Sequence, residues 1–251
     1  IRISGKAADA GVRIERVEFR GGAGSYSAGI VVDGGAAPVF SDCKASGGDG
    51  SYGYGAAVVG GAAPRFDSCR LSGGDGATSY GLSVDSAKAV AAGSFLLAGS
   101  GAVGGYGLSA TDAVIRVASS VLAGSPANVS YGAAFYNCRD SALESSTVVG
   151  GSGKDSAGVF ISASDPSIVN CIIGSYGSAK SYGIFDNYGS SAPSRLESVA
   201  FIGCSGGVYY DADSKRAYTA VDASGVPVDA DGKALAKPKA AGCIVASFSL
   251  S

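Results

Sequence analysis

The sequence predicts an all-β solenoid, a parallel β-helix of about eight coils of about 26 residues that ends in a C-terminal cap. Two ladders of residues, each repeated at a nearly constant period, support this prediction. The first ladder advances by a constant step until a shorter last step, and its members are Val17, Cys43, Cys69, Phe95, Val121, Thr147 and Cys171. The second advances by the same step or by one residue less, and its members are Gly29, Gly55, Gly81, Gly107, Gly132, Gly158 and Gly183. In addition, residues 34–38 (GGAAP) return unchanged as residues 60–64.

Each coil divides into three parts, beginning with the first full coil near Gly11; residues 1–10 before it are predicted to be an initial strand or cap. A Ser-Tyr-Gly or Ser-Ala-Gly triplet opens a short strand whose apolar residues alternate, as Leu82 and Val84 do. A turn follows, then the ladder strand, then a Gly/Ser bend. A period of two indicates strands, and no segment shows helical spacing. Equivalent residues of successive coils are therefore expected to stack.

The repeat fades towards the C-terminus. Residues 193–203 keep the pattern as a degenerate eighth coil, and from about Tyr209 it is gone. The end of a solenoid exposes a strand edge that templates aggregation unless it is covered. We therefore predict two domains, a β-helix over residues 1–208 and a cap or strand-rich flap over residues 209–251.

Charge and composition argue against several functions. The 19 basic and 21 acidic residues form no basic patch, so no nucleic-acid partner is expected. No apolar run approaches the roughly 18 residues of a membrane span. The chain contains no His, which removes the commonest general base and metal ligand, and no cofactor is expected. The absence of Met indicates a processed or excised piece.

The acidic and sulfur-containing residues predict no metal site. Residues 229–232 (DADG) begin like a calcium loop but lack its later ligands and its closing Glu. The six Cys residues contain no CxxC pair. Cys43, Cys69 and Cys171 lie in the ladder, where buried core thiols are expected. The alternative is a disulfide between Cys43 and Cys69 on coils about 4.8 Å apart, although their nearly parallel Cβ vectors would strain it.

Two segments show a family resemblance. Residues 166–174 (PSIVNCIIG) and 181–185 (SYGIF) look like units of the bacterial right-handed parallel β-helix repeat proteins of the pectin-lyase-like superfamily. The similarity covers roughly residues 11–208 and is closest to poorly characterised secreted and surface-exposed members. It implies a right-handed coil and an exported protein, located outside the cell or on a bacterial cell surface.

Catalysis is not expected from the residues of the repeat. Enzymes of that superfamily use carboxylate clusters, often with calcium, and a Lys or Arg base. Here the position of Asp42 carries Ser in the following coils, namely Ser68, Ser94, Ser120 and Ser146, so no acidic stack forms. Glycoside hydrolysis needs two cooperating carboxylates. We predict no catalytic residues and no enzyme, with a degenerate polysaccharide lyase as the third alternative.

A column of tyrosines accompanies the Gly ladder. It consists of Tyr54, Tyr80, Tyr106, Tyr131 and Tyr182 and is interrupted by Ala28 and Ala157. The structural interpretation is a stack of rings that stabilises a corner. The functional alternative is an aromatic strip that binds glycan. Counting with a period of two places these rings inside with Ile30, but a corner can break that parity, so both interpretations stay open.

A stripe of aliphatic residues is predicted on the outer face of the ladder strand, one position after the ladder. Its members are Leu96, Leu122, Val148 and Ile172, and they follow the polar Glu18, Lys44 and Arg70. A monomer does not usually leave such a stripe in water. Either the C-terminal segment with Phe248 folds over it, or it is an interface with a second subunit or a protein partner.

These observations favour an exported, surface-associated structural or adhesive module without catalytic activity. It would engage a protein partner or self-associate through the stripe. The alternative function is a carbohydrate-binding β-helix protein that uses the tyrosines.

Overall fold

The computed structural model describes residues 1–5, 11–177, 180–188, 191–236 and 240–246, which form an all-β solenoid. The strands of these residues are, in chain order, β1 (Arg2–Ser4), β2 (Arg13–Glu15), β3 (Glu18–Arg20), β4 (Tyr26–Asp33), β5 (Val39–Ser41), β6 (Lys44–Ser46), β7 (Tyr52–Val59), β8 (Arg65–Asp67), β9 (Arg70–Ser72), β10 (Thr78–Asp85), β11 (Lys88–Ala92), β12 (Phe95–Leu97), β13 (Gly104–Thr111), β14 (Val114–Ala118), β15 (Val121–Ala123), β16 (Val129–Tyr136), β17 (Ala142–Glu144), β18 (Thr147–Gly150), β19 (Asp155–Ser162), β20 (Ser167–Val169), β21 (Ile172–Ser175), β22 (Ser181–Asp186), β23 (Arg195–Glu197), β24 (Ala200–Ile202), β25 (Gly207–Asp211), β26 (Arg216–Tyr218), β27 (Ala220–Val221), β28 (Pro227–Val228), β29 (Ala240–Ala241) and β30 (Ile244–Val245).

The chain visits three parallel sheets in turn. Sheet A contains β1, β4, β7, β10, β13, β16, β19, β22 and β25, with β26 added antiparallel at its end. Sheet B runs from β2 to β23 and β29, and sheet C from β3 to β24 and β30. One strand from each sheet makes one coil. The described residues therefore form eight regular coils and a ninth that is interrupted after β25, which confirms the predicted parallel β-helix.

The core fills the space between the three sheets. In β10, Leu82 and Val84 are buried, and they pair with Leu108 and Ala110 of the next coil. Buried apolar rows of this kind continue through the neighbouring coils to Val159 and Ile161, and in the eighth coil Asp186 takes the position of Ile161. Each fully buried large side chain contributes roughly 1.5–3 kcal/mol.

The Gly ladder marks the line along which sheets A and C approach most closely. A Cβ atom on Gly81 would lie 2.5 Å from the backbone nitrogen of Leu97 in sheet C and 2.6 Å from the carbonyl oxygen of Gly107. A side chain at this position would have to push two backbones apart. The ladder predicted from the sequence is thus required by the packing of the two sheets.

The corner between sheets B and C is a tight bend with one left-handed residue. Asp42, Ser68, Ser119, Ser145 and Asn170 all have φ between 48° and 54° there. Asn170 offsets part of the strain, since its amide donates to the Ser145 hydroxyl at 3.1 Å.

The residue after this bend forms a ladder of buried hydrogen bonds. The Ser94 hydroxyl accepts from the backbone N–H of Cys69 at 3.0 Å, and the Ser120 hydroxyl accepts from that of Ser94 at 3.0 Å. The Ser146 hydroxyl accepts from the N–H of Ser120 at 3.1 Å. Equivalent positions are therefore Cys69, Ser94, Ser120 and Ser146.

This register corrects the predicted stripe. Leu71 pairs with Leu96 rather than with Leu97, so this coil is shorter than its predecessors and the ladder drawn through Phe95 slips by one residue. A slip of one residue exchanges the two faces of a strand. Leu96, Leu122 and Val148 are fully buried core residues, and the prediction that they face solvent is wrong.

Two further predictions about this strand can be compared with the structure. Ile172 is exposed, as predicted. It pairs with Thr147, so the coil between them is also one residue shorter, and from this point the predicted and observed faces of the strand agree again. Phe248, which was predicted to cover the stripe, lies outside the described residues.

The end of the solenoid differs from its regular coils. After β25 the chain forms the hairpin strand β26 and the pair β27 and β28, and then β29 and β30 rejoin sheets B and C. Tyr209, Tyr218 and Leu235 are buried there and close the core. Sheet strands thus continue beyond residue 208, and the division into domains 1–208 and 209–251 stays a prediction.

The six cysteines are free thiols. Cys43, Cys69 and Cys171 are buried, as core thiols were expected to be, and Cys43 is not bridged to Cys69. Burial raises the pKa of the Cys69 thiol to about 12, which keeps it protonated and unreactive.

Candidate functional site

The outer face of sheet A carries the tyrosine column. At each coil the strand bends at the ladder glycine, so that Gly81 and Leu82 both face the interior. The preceding residue, Tyr80, therefore lies on the outer face, half-buried between its neighbours. All five predicted tyrosines have this environment, and the inward placement from a period of two is wrong for them.

The rings of the column stack along the axis of the solenoid. The ring centroids of Tyr54 and Tyr80 are 5.0 Å apart and those of Tyr80 and Tyr106 are 4.9 Å apart, with interplanar angles of 8° and 12°. Tyr106 meets Tyr131 edge to face at 5.7 Å. Each stacked ring covers the face of its neighbour, so this part of the column presents ring edges, and not ring faces, outwards.

At the seventh coil the stacked rings move from the position before the ladder glycine to a different position of the strand, which begins a second row. Ala157 stands in the register position of Tyr131, and the ring of Phe160 stacks on Tyr131 at 4.7 Å instead. The new row continues through Phe185 to Tyr210, with centroid distances of 5.8 Å and 5.0 Å. Sequence analysis missed this row, although Phe160, Phe185 and Tyr210 are equally spaced along the chain.

Tyr182 stays in the original row beside the new one. Its ring packs against Tyr210 at 4.8 Å and meets Phe185 edge to face at 5.5 Å. We use the name aromatic column for the continuous set Tyr54, Tyr80, Tyr106, Tyr131, Phe160, Tyr182, Phe185 and Tyr210.

The phenols of the column are held in their protonated form. Burial raises the pKa of Tyr54 to about 12, and burial raises the pKa of Tyr80 and Tyr131 further. A neutral phenol both donates and accepts a hydrogen bond. The column can therefore offer hydrogen bonds but no phenolate base at physiological pH.

Two depressions adjoin the column. One, of about 410 Å³, lies between Tyr131 and Tyr182. The other, of about 640 Å³, lies at the opposite end between Tyr26 and Tyr54, where Arg2 pairs with Asp33. Aromatic walls with a few polar groups at the rim are typical of small-molecule sites.

The outer face of sheet C carries a separate apolar surface. We call it the outer stripe, and it consists of Phe95, Val121, Thr147, Ile172, Ala200 and Ile244, which follow one another in register. Phe95 is 46% exposed, Ile172 43% and Ile244 57%. It lies one residue before the predicted positions Leu96, Leu122 and Val148, and it shares Ile172 with the predicted stripe.

Two acidic residues near the C-terminal end of the solenoid, Asp186 and Asp229, have structural roles. Within the described ranges no three His, Cys, Asp or Glu side chains are grouped so as to hold a metal ion. Asp229 is already engaged, because Oδ1 accepts from the N–H groups of Asp231 and Lys233 and Oδ2 accepts from Arg216 at 2.6 Å. Asp186 is buried and accepts a hydrogen bond from Tyr209 at 2.8 Å.

Comparisons with known proteins agree on the fold. The family model described as "Right handed beta helix region" matches residues 1–221. No curated protein gives a significant match. No helix of sufficient length and apolarity to cross a membrane occurs in the described part of the chain.

Two solved structures show how far the likeness extends. The A-module of Azotobacter vinelandii mannuronan C-5 epimerase AlgE6 matches with a TM-score of 0.50 and 11% identity, over 94% of this chain and 55% of that module. At this identity the likeness concerns the fold alone, and the chain spans about half of the module. A trypsin-treated variant of QnrB1, a plasmid-mediated fluoroquinolone resistance protein, matches with a TM-score of 0.29 and 14% identity, over 98% and 88% of the two chains.

Proposed function

The chain belongs to the family of right-handed β-helix proteins, and from this premise we propose that it is an exported, surface-associated adhesive module without catalytic activity whose aromatic column binds glycan. The observation that supports this proposal is the outward position of the column. From Tyr54 to Tyr106 its rings repeat about once every 5 Å along the outer face of sheet A. A linear glycan also repeats its hydroxyl groups along a line, so one polymer could contact several coils at once.

The chemistry of the column suits binding better than catalysis. Its phenols keep their protons, because burial raises the pKa of Tyr54 and Tyr80. A protonated phenol hydrogen-bonds sugar hydroxyls but does not abstract a proton. Several weak contacts on one polymer add up through multivalency, which is how an adhesive surface reaches useful affinity.

The proposal is tested by removing hydroxyls while leaving the rings. In the triple variant Tyr54→Phe, Tyr80→Phe, Tyr106→Phe, the stack remains and three hydrogen-bonding groups are lost. Each neutral hydrogen bond contributes roughly 0.5–1.5 kcal/mol, so binding to a glycan found by array screening should weaken about tenfold or more. Isothermal titration calorimetry measures the affinity, and the midpoint of thermal unfolding should fall only by the small amount that loss of the Tyr106–Tyr136 hydrogen bond costs.

The matched control is Tyr176→Phe, which removes a hydroxyl from an exposed tyrosine that belongs to neither aromatic row. It should bind glycan as the unmodified protein does. The proposal fails if no glycan binds the intact protein, or if the triple variant binds as tightly as the control.

A second candidate function, a structural module that self-associates or engages a protein partner, is favoured by the outer stripe. Phe95, Ile172 and Ile244 leave much of their surface in water, and large apolar patches usually mark interaction sites. The two candidates use different sheets, so one protein could serve both.

A further inference from the structure

The depression between Tyr131 and Tyr182 exists because the aromatic column changes row. Ala157 contributes no ring at its register position, and Phe160 covers it by leaning onto Tyr131. The following ring of the original row, Tyr182, packs towards the C-terminal side on Tyr210. A gap of about 410 Å³ is left between Tyr131 and Tyr182, with Phe160 at its wall. We call this gap the column pocket.

Polar groups of opposite charge stand at one side of the column pocket. Asp155 and Lys180 line the pocket from adjacent coils. Asp155 directly precedes Ser156, Lys180 directly precedes Ser181, and these two serines pair in register. Both side chains are exposed, and among the described residues no ion pair joins them. Asn187 adds an amide to the lining. The pocket thus combines an acceptor, a donor and a group that is both.

We propose that the column pocket binds one neutral pyranose ring of the glycan, and this inference rests on the glycan-binding function proposed above. The apolar face of the sugar packs against the ring of Tyr182, which has Ala157 and no ring at its register position on the preceding coil, while Phe160, stacked between Tyr131 and Phe185, presents only its edge. Its hydroxyls donate to the Asp155 carboxylate and accept from the Lys180 ammonium, while Asn187 does either.

The charges of the pocket select against an acidic sugar. A uronate would gain attraction from Lys180, but its carboxylate is repelled by Asp155 and has no hydrogen to donate to it. A neutral hexose uses both groups without such repulsion, because vicinal hydroxyls accept and donate at once. The pocket should therefore discriminate between neutral glycans and uronates, which the tyrosine stack alone would not do.

The test uses the full chain and defined probes in isothermal titration calorimetry. The neutral probes are cellohexaose, maltohexaose and mannohexaose, and the acidic probe is a mannuronate hexasaccharide. One neutral probe should bind at least tenfold more tightly than the acidic probe. Lys180→Gln should weaken the neutral probe several-fold, and Asp155→Asn should bring the acidic probe closer to it by relieving repulsion.

The matched control is Lys44→Gln, which removes another exposed lysine, on the outer face of sheet C. It should change neither affinity. All three variants alter exposed side chains, so a thermal unfolding curve superimposable on that of the unmodified protein verifies their folding.

The outcomes separate this inference from the proposed function. If no glycan binds, the proposed function and the pocket assignment both fail. If glycan binds and the triple Phe variant weakens it, but Asp155→Asn and Lys180→Gln behave like Lys44→Gln, only the pocket assignment is overturned. Tighter binding of the acidic probe to the unmodified protein would overturn the preference for a neutral ring.

Discussion

Sheets A and C both stack equivalent residues once per coil, yet their outer faces differ. On sheet A, Tyr54 and Tyr80 lie flat against each other, and the column buries much of its own apolar surface. On sheet C, Phe95, Ile172 and Ile244 project singly and stay exposed. Tyr80 has a ring in register on both sides, whereas Phe95 pairs with Val121 and Ile172 pairs with Ala200, so no neighbouring ring covers them in register. Sheet A therefore offers hydroxyl groups outwards, whereas sheet C offers apolar surface.

The largest effect should come from truncating an inner residue of sheet C, compared with truncating its neighbour on the outer face. Leu122→Ala removes a fully buried side chain and should destabilise the fold by about 2–5 kcal/mol, the usual cost of such a cavity. Val121→Ala, the neighbour on the outer face, should cost less than about 1 kcal/mol. Urea unfolding of both variants measures the difference. Equal losses would contradict the register in which Leu122 faces inwards.

A somewhat smaller effect is expected where the two sheets meet. In Gly107→Ala the new methyl group would lie 2.6 Å from the carbonyl oxygen of Gly132 and 2.7 Å from the backbone nitrogen of Ala123. Forcing sheets A and C apart should cost about 1–3 kcal/mol in thermal or chemical unfolding. The control Gly22→Ala has open space around its Cβ, and it should be close to neutral. An undisturbed Gly107→Ala would show that the sheets are not in contact at this ladder.

The interior of the eighth coil next to sheet A should respond to pH, whereas the apolar interior next to sheet C should not. Burial raises the pKa of Asp186 from 3.8 to about 6, against the hydrogen bond from Tyr209. The folded state then holds this proton more tightly than the unfolded chain, so this contribution to stability is complete below about pH 4. It is lost as the pH rises to about 6, by at most about 3 kcal/mol and less where water reaches the carboxylate.

The check is urea unfolding of the unmodified protein and Asp186→Asn between pH 4 and 7. The stability of the variant relative to the unmodified protein should rise across this interval, because the amide cannot ionise. A constant difference between the two would refute the raised pKa.

The smallest effect on stability is expected from the outer stripe, where the readout is association. Phe95→Ser with Ile172→Ser removes exposed apolar groups and should change the free energy of unfolding by less than about 1 kcal/mol. If the stripe is an interface, light scattering over a concentration series should show less association for the double variant. The control Tyr188→Ser removes an exposed aromatic group elsewhere. Identical scattering from all forms would remove the second candidate function.

Much of the fold could be predicted from the sequence, but much less of the candidate sites. The repeat period and the Gly ladder are properties of spacing, and both hold in the structure. The tyrosines were identified, yet their side of the sheet was not, because Gly81 and Leu82 face inwards together at a bend. The stripe was placed on the wrong residues because one shortened coil carries Leu96 into the core. The shorter last step of the predicted ladder, from Thr147 to Cys171, already indicated in the sequence that the register had shifted.

The sequence by itself determined that this protein is a coil repeated along one axis, since repetition and alternation are local properties of the chain. Only the tertiary structure decided which residues reach the surface. A strand has just two faces, so a corner or a coil shortened by one residue exchanges the predicted faces until the next such change, as at Ile172. The position of Phe160 was decided in the same way, because its ring stacks on Tyr131 of the neighbouring coil, where Ala157 provides no ring in register.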